Sequence, residues 1–262
     1  MRMALMVSLV LVIGLTPGLA QTAADEMAAG IEAYKSAQYE QAIAHFTKAL
    51  QFEPGLATAH LYLGIAHAQQ YIPGADSADN NKEGESALKQ LALAVAANLD
   101  PEQHVDALRA RASLLFNMKK FDEAKADYEE LIKLDPDDPD FYYSIAVIDW
   151  TQSYTPRMEL RKSMNLEPTD ELEVGSACNL LRSMNEKKVE DGIQKLTKAI
   201  DLRCDFDDAM AYMNLMYREK ADYECDTPEL RAYDLKMADE WIDRTIAAKK
   251  AKAEQAAKSS PE

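Results

Sequence analysis

AADEMAAGIEAYKSAQYEQAIAHFTKALQFEPGL, residues 23–56, reads as one helix–turn–helix unit. Gly30 falls where two helices must touch, and Tyr39 falls in the turn between them. Ala42, Phe46 and Ala49 recur at the spacing that puts them on one face of a second helix. Pro54 ends the unit, because proline lacks the N–H that would continue a helix. A single hairpin of this size buries too little apolar surface to stand alone, so its meaning depends on whether the chain repeats it.

The chain does repeat it. Residues 57–71 carry His60, Leu63, Gly64 and His67 at the large–Leu–Gly–large spacing of a first helix. The turn-rich run 71–81 (YIPGADSADNN) interrupts this copy before a second helix resumes near Lys82 and closes at Asp100-Pro101. Leu108, Ala112, Leu115, Phe121, Ala124, Tyr128 and Leu131 give a third copy, closed by Asp135-Pro136. A fourth runs from Pro139 through Ala146 to Gln152, with Thr155-Pro156 opening a short second helix that stops before Pro168. A fifth spans 170–204, with Ile193, Leu196, Ala199 and Ile200 on its second helix. The sixth pairs 207–223 with 229–250.

These residues resemble the tetratricopeptide repeat (TPR), a pattern of about 34 residues with a small residue, an Ala, an aromatic and a Pro at fixed offsets. The resemblance covers 23–56 and 102–136 most fully, 57–101 with the inserted loop, and becomes degenerate after 137. It implies an all-α, TPR-like α-solenoid: a right-handed superhelix of about six hairpins and twelve helices. Residues 21–136 make three hairpins with a loop at 71–81, and 137–250 make three degenerate ones with a C-terminal capping helix. The polar run 251–262 is expected to be a disordered tail.

Residues 1–20 form a separate unit. Arg2, the apolar run Met3–Leu15 and the small residues ending at Ala20 have the form of a cleavable signal peptide. About 13 apolar residues are too few for a membrane anchor, which needs about 20. Cleavage after Ala20 would make the protein periplasmic or secreted, with no stable membrane insertion. The formal net charge of −16 repels phosphate backbones and speaks against nucleic acid as a partner.

Cys178, Cys204 and Cys225 sit in what would then be an oxidising compartment. Cys204 and Cys225 flank one helix and lie about 27 Å apart, beyond the ~7 Å a disulfide allows. Cys178–Cys204 is the weaker alternative, and three free thiols are expected.

No catalytic motif is present: there is no G-x-S-x-G, H-E-x-x-H, C-x-x-C or phosphate-binding loop. His60 and His67 are two turns apart and read as packing residues, and the acidic run 135–140 lacks the Gly and Glu of a calcium loop. No enzyme activity, cofactor or metal is expected. What remains is the inner face that first helices line in such an array. In the repeat register it comprises Met27, Ile31, Tyr34, Leu61, Ile65, Arg109, Ser113, Phe116, Tyr143, Val147, Trp150, Met213 and Tyr217.

The later half has its own features in 142–161 and 205–222. Trp150, Tyr154, Pro156, Arg157, Asp207, Asp208, Tyr212, Asn214, Tyr217 and Arg218 resemble positions of exported bacterial TPR proteins without an assigned activity. That implies a non-catalytic protein- or peptide-binding scaffold of the cell envelope. A self-associating structural array without an external ligand is the alternative, and homo-oligomerisation stays open. Asp149 is expected to pair with Arg157 or Arg161, partly out of water.

Overall fold

The computed structural model describes residues 22–167 and 170–259. The leader-like segment and Pro168 lie outside the described residues. Within them the chain is a succession of ten helices with no strand. They are α1 (Ala23–Lys35), α2 (Tyr39–Phe52), α3 (Ala57–Gln70), α4 (Ala78–Ala96) and α5 (Pro101–Asn117), followed by α6 (Phe121–Leu134), α7 (Pro139–Ser163), α8 (Ser176–Leu202), α9 (Asp207–Tyr223) and α10 (Pro228–Ser259).

Several helices start and stop for local reasons. Thr22 and Asp25 form a reciprocal capping box at α1. Ser77, Asp100 and Asp138 accept from backbone N–H groups at the starts of α4, α5 and α7, and proline occupies the first turn of the latter two. The first helices α1, α5 and α7 end alike. Ala37, Lys119 and Asn165 take left-handed φ of 56–59°, and the next N–H reaches back to Ala33, Leu115 and Arg161 respectively. This closure satisfies the last carbonyls and turns the chain into the return helix.

Consecutive helices pack as five antiparallel hairpins, α1–α2 through α9–α10, and each return helix packs on the next hairpin. First helices also touch across hairpins: α1 meets α3, α3 meets α5, and α7 meets α9. Second helices pack less closely on one another, α6 reaching α8 through the Lys125–Asp191 side chains, so the first helices form the inner wall of the array. Gly30 and Gly64 sit at close contacts within the first two hairpins. A methyl at Gly30 would lie 2.5 Å from the Phe46 ring, and one at Gly64 would lie 2.7 Å from Leu91.

The all-α, TPR-like solenoid holds, with five hairpins in place of about six. The difference lies at 137–204, where four helices were expected and two long ones stand. α7 runs on through Pro156. The stretch 152–155 offers no glycine or asparagine for a left-handed turn, and the proline interrupts the ladder only locally. Thr155 Oγ1 donates to the Thr151 carbonyl at 3.3 Å, and Asn185 Nδ2 to that of Ser153 at 2.9 Å.

Two other boundaries move. α4 begins at Ala78, so the 71–81 loop is shorter than read. Buried Asn80 holds that loop, accepting from Ile72 N–H and donating to the Ile72 and Ala75 carbonyls at 2.7–3.0 Å. The tail read as disordered from 251 continues α10 as helix to Ser259.

Cys178 and Cys225 are disulfide-bonded, with Cα atoms 6.3 Å apart, and Cys204 is free and exposed. The expectation of three free thiols fails because α8 is one long helix. Its N-terminus therefore lies beside the C-terminal end of antiparallel α9.

Candidate interaction surface

On α7, Tyr143, Val147, Trp150 and Tyr154 recur at steps of four, three and four, which places them along one stripe of the helix. The stripe faces α9. Tyr143 lies 5.0 Å from Phe206 and 5.5 Å from Tyr212, centroid to centroid. Trp150 lies 5.4 Å from Tyr212 and stacks on Tyr154 at 4.8 Å. Arg203 covers Phe206 at one end, at 4.3 Å, and Arg157 approaches Tyr154 at the other, at 5.9 Å. Edge and tilted packing of this kind suits ring quadrupoles and leaves part of each ring open to a ligand. Tyr143, Val147, Trp150 and Tyr212 are half-buried, and Tyr154 is exposed.

Beside this row a small hollow of about 180 Å³ opens, lined by Phe116, Tyr128, Tyr143, Ser144 and Val147. Burial pushes the Tyr143 and Tyr212 hydroxyls up, and Asp208 adds to the shift in both. Both phenols therefore stay protonated and able to donate a hydrogen bond.

The structure thus brings Phe116, Tyr143, Val147 and Trp150 into one surface. Arg109 is exposed at its edge, paired with Asp138 at 3.1 Å and set over Phe141, and Ser113 is exposed nearby on α5. Met27, Ile31 and Tyr34 are half-buried against the α1–α2 core, while Ile65 packs on the α3–α5 core and Tyr217 on the α7–α9 core.

Two assignments are corrected. Leu61, 2% exposed, is packed with Leu91, Ala107 and Leu114 between the second and third hairpins. Met213, 1% exposed, lies on the core stripe Ala209–Met213–Met216 of α9. The repeat register, extended into α9, is off by about one residue, and Tyr212 is the side chain that reaches the α7 row. Tyr128, Ser144, Tyr154 and Phe206 were also missed as lining. A break placed at 153 hid Tyr154, whose four-residue step from Trp150 is plain once α7 is continuous.

Behind this face lies a buried ionic network. Arg157 bonds Glu219 at 2.7 Å and approaches Asp222 at 2.8 Å, and Arg161 bonds Asp222 at 2.7 Å. Burial pushes the Glu219 carboxyl up to about 7 despite that arginine. Asp149 does not join this network. Eight residues of the same helix separate it from Arg157, a rise of about 12 Å, and it binds Lys125 of α6 at 2.7 Å instead.

The histidines also differ from a purely apolar packing role. His60 and His67 are half-buried and bond Gln90 and Glu83 of α4 at 2.7 and 2.6 Å. His45 meets the fully buried Glu26 at 2.5 Å. Among the described residues no cluster of three or more His, Cys, Asp or Glu is placed to hold a metal ion. No helix there is long and apolar enough to cross a membrane.

Residues 112–152 match the TPR repeat family. Human "Tetratricopeptide repeat protein 13" is 26% identical over 195 residues, 74% of this chain, and the chain spans only 21% of that protein's length. Among solved structures, MamA of Desulfovibrio magneticus RS-1 (residues 41 to the end) superposes with a TM-score of 0.57 at 16% identity. That match covers 87% of this chain and 96% of that one. YrrB, described as a TPR protein with an unusual peptide-binding site, superposes with a TM-score of 0.55 at 13% identity, over 87% and 92% of the two chains. At such identities the likeness is one of fold.

Proposed function

The chain is a tetratricopeptide-repeat protein, and from that premise we propose that it is a non-catalytic scaffold holding a peptide segment of a partner protein on its inner face. The observation that carries this reading is the aromatic row Tyr143–Trp150–Tyr154 of α7 with Tyr212 of α9, beside the hollow at Phe116. Partly open, rigid aromatic side chains fixed by their neighbours lose little entropy on binding and commonly dominate interface energetics. YrrB, of similar fold, is described as having a peptide-binding site, which supports the same use here.

The site of action proposed is the bacterial envelope, outside the cytoplasm. The leader-like residues 1–20 and the Cys178–Cys225 pair support it, since structural disulfides persist mainly in oxidising compartments.

Panning the chain against a displayed random-peptide library tests the reading. Enriched peptides are expected to bind a Phe116→Ala/Tyr143→Ala/Trp150→Ala variant at least about tenfold more weakly, about 1.4 kcal/mol. Circular dichroism checks that the variant keeps its helices. Equal binding to a folded variant would put the interaction elsewhere, and no enrichment at all would remove the peptide-holding role.

A further inference from the structure

On the opposite side of α7 from the aromatic row, a cleft of about 600 Å³ opens between α6, α7 and α8. Its unusual member is Asp149, which is 0% exposed. One oxygen, Oδ1, accepts from Lys125 Nζ at 2.7 Å, while Oδ2 has no hydrogen-bond partner. The same Nζ also serves Asp191 Oδ2 at 2.9 Å. One ammonium therefore hydrogen-bonds two carboxylates, and Asp149 has no second cationic partner for its Oδ2. Lys195 adds a looser ion pair to Asp191 at 3.8 Å and leaves Asp149 without a second cation. A buried carboxylate oxygen left unanswered is costly, and a second cationic donor would remove that cost.

The remaining charges of the cleft favour the same occupant. Asp122 and Glu129 line it from α6 and Glu190 from α8, against Lys187 and Lys188. Lys188 already donates to the Met184 carbonyl.

We propose that this cleft is a second binding site, which takes an aliphatic ammonium group on the carboxylates of Asp149 and Asp191. The group comes either from a free small amine or from a lysine side chain of a partner. The proposal does not depend on the inner-face reading. Below about pH 7 a proton fills the vacant place in the free protein, because burial above all, with Asp191 beside it, holds the Asp149 carboxyl up to about 7. Binding then exchanges one ion for another: the ammonium enters and the Asp149 proton leaves to solvent.

Calorimetric titration of the full chain with putrescine, and separately with Nα-acetyl-lysine-N-methylamide, tests this at pH 6 and pH 8. Saturable binding is expected, about tenfold weaker at pH 6, with release of close to one proton at pH 6 and of little at pH 8, read from buffers of different ionisation enthalpy. Preference for putrescine would identify a free amine, and preference for the lysine derivative a partner's side chain. Asp149→Asn keeps the shape of the side chain and should lose the pH dependence and at least tenfold in affinity at pH 8. Asp191→Asn, at a half-buried position, repeats the test if the first variant folds poorly. No binding of either probe would overturn the proposal, as would binding that survives Asp149→Asn with its pH dependence intact. A trapped water alone would then satisfy Oδ2.

Discussion

At position 64 the space for a single methyl group decides how closely α3 approaches α4. A Cβ there would stand 2.7 Å from Leu91 Cγ and 3.0 Å from the Leu91 backbone nitrogen. A side-chain tip can swing away, but a backbone nitrogen inside a helix moves only with its helix. Replacing a helical glycine with alanine normally gains about 1 kcal/mol. Overpacking a close contact costs about 1–3 kcal/mol. The backbone neighbour makes the second effect win, so Gly64→Ala should destabilise the chain by about 1–2 kcal/mol. Urea denaturation measures it, and a stability equal to or above the parent's would show that α3 and α4 can part without loss.

Gly64 was readable from sequence because the repeat puts a small residue there. Asn80 was not, since its role depends on a loop folding back onto its side chain.

The elements of the first half were legible in this way because every hairpin is closed by local chemistry: caps, prolines and left-handed turns. α7 and α8 were not. Their continuity rests on tertiary partners such as Asn185 at the Ser153 carbonyl and the arginines of α7 on the acids of α9, which no local signal announces. The same misplacement hid the disulfide and part of the aromatic row. With α8 as one rod, Cys178 arrives beside Cys225, and Arg182 grips the Tyr223 carbonyl and Asp226 in the same corner. Titration of unfolded, non-reduced protein should therefore count one thiol, that of Cys204, and three after reduction. The bond closes 47 residues, which on the chain-entropy model stabilises by about 4 kcal/mol. A Cys178→Ser/Cys225→Ser variant should lose stability in that direction, with faster proteolysis in the 224–227 loop. Three thiols without reduction would refute the pairing.

Across the whole molecule the two halves are held together by different physics. Hairpins one to three meet mainly through small residues and apolar clusters, with buried Glu26 and Asp127 paired to His45 and Arg111, whereas α7 to α10 enclose a larger set of carboxylates, Asp149, Glu219, Asp222 and Asp234. That difference gives the chain a characteristic dependence on pH. Burial above all holds Asp149 up to about 7, Glu219 up to about 7 and Asp234 up to about 6. In the unfolded chain these groups titrate near 4. Between about pH 4 and 7 the folded state thus binds more protons than the unfolded one, and stability falls as pH rises. Asp25, Asp207 and Asp226 are shifted the other way by hydrogen bonds to Thr22, Lys252 and Arg182. Their contribution is lost as pH falls below about 4. The self-repulsion of a chain with net charge −16 acts with the first group, weakening the fold as carboxylates ionise. The melting temperature should therefore peak near pH 5 and decline towards pH 8. An Asp149→Asn/Asp234→Asn double variant should show a shallower decline, because two of the three late-titrating acids are gone while the surface charge is almost unchanged. A decline as steep as the parent's would assign the pH dependence to the surface, and the interior carboxylates would then titrate like exposed ones.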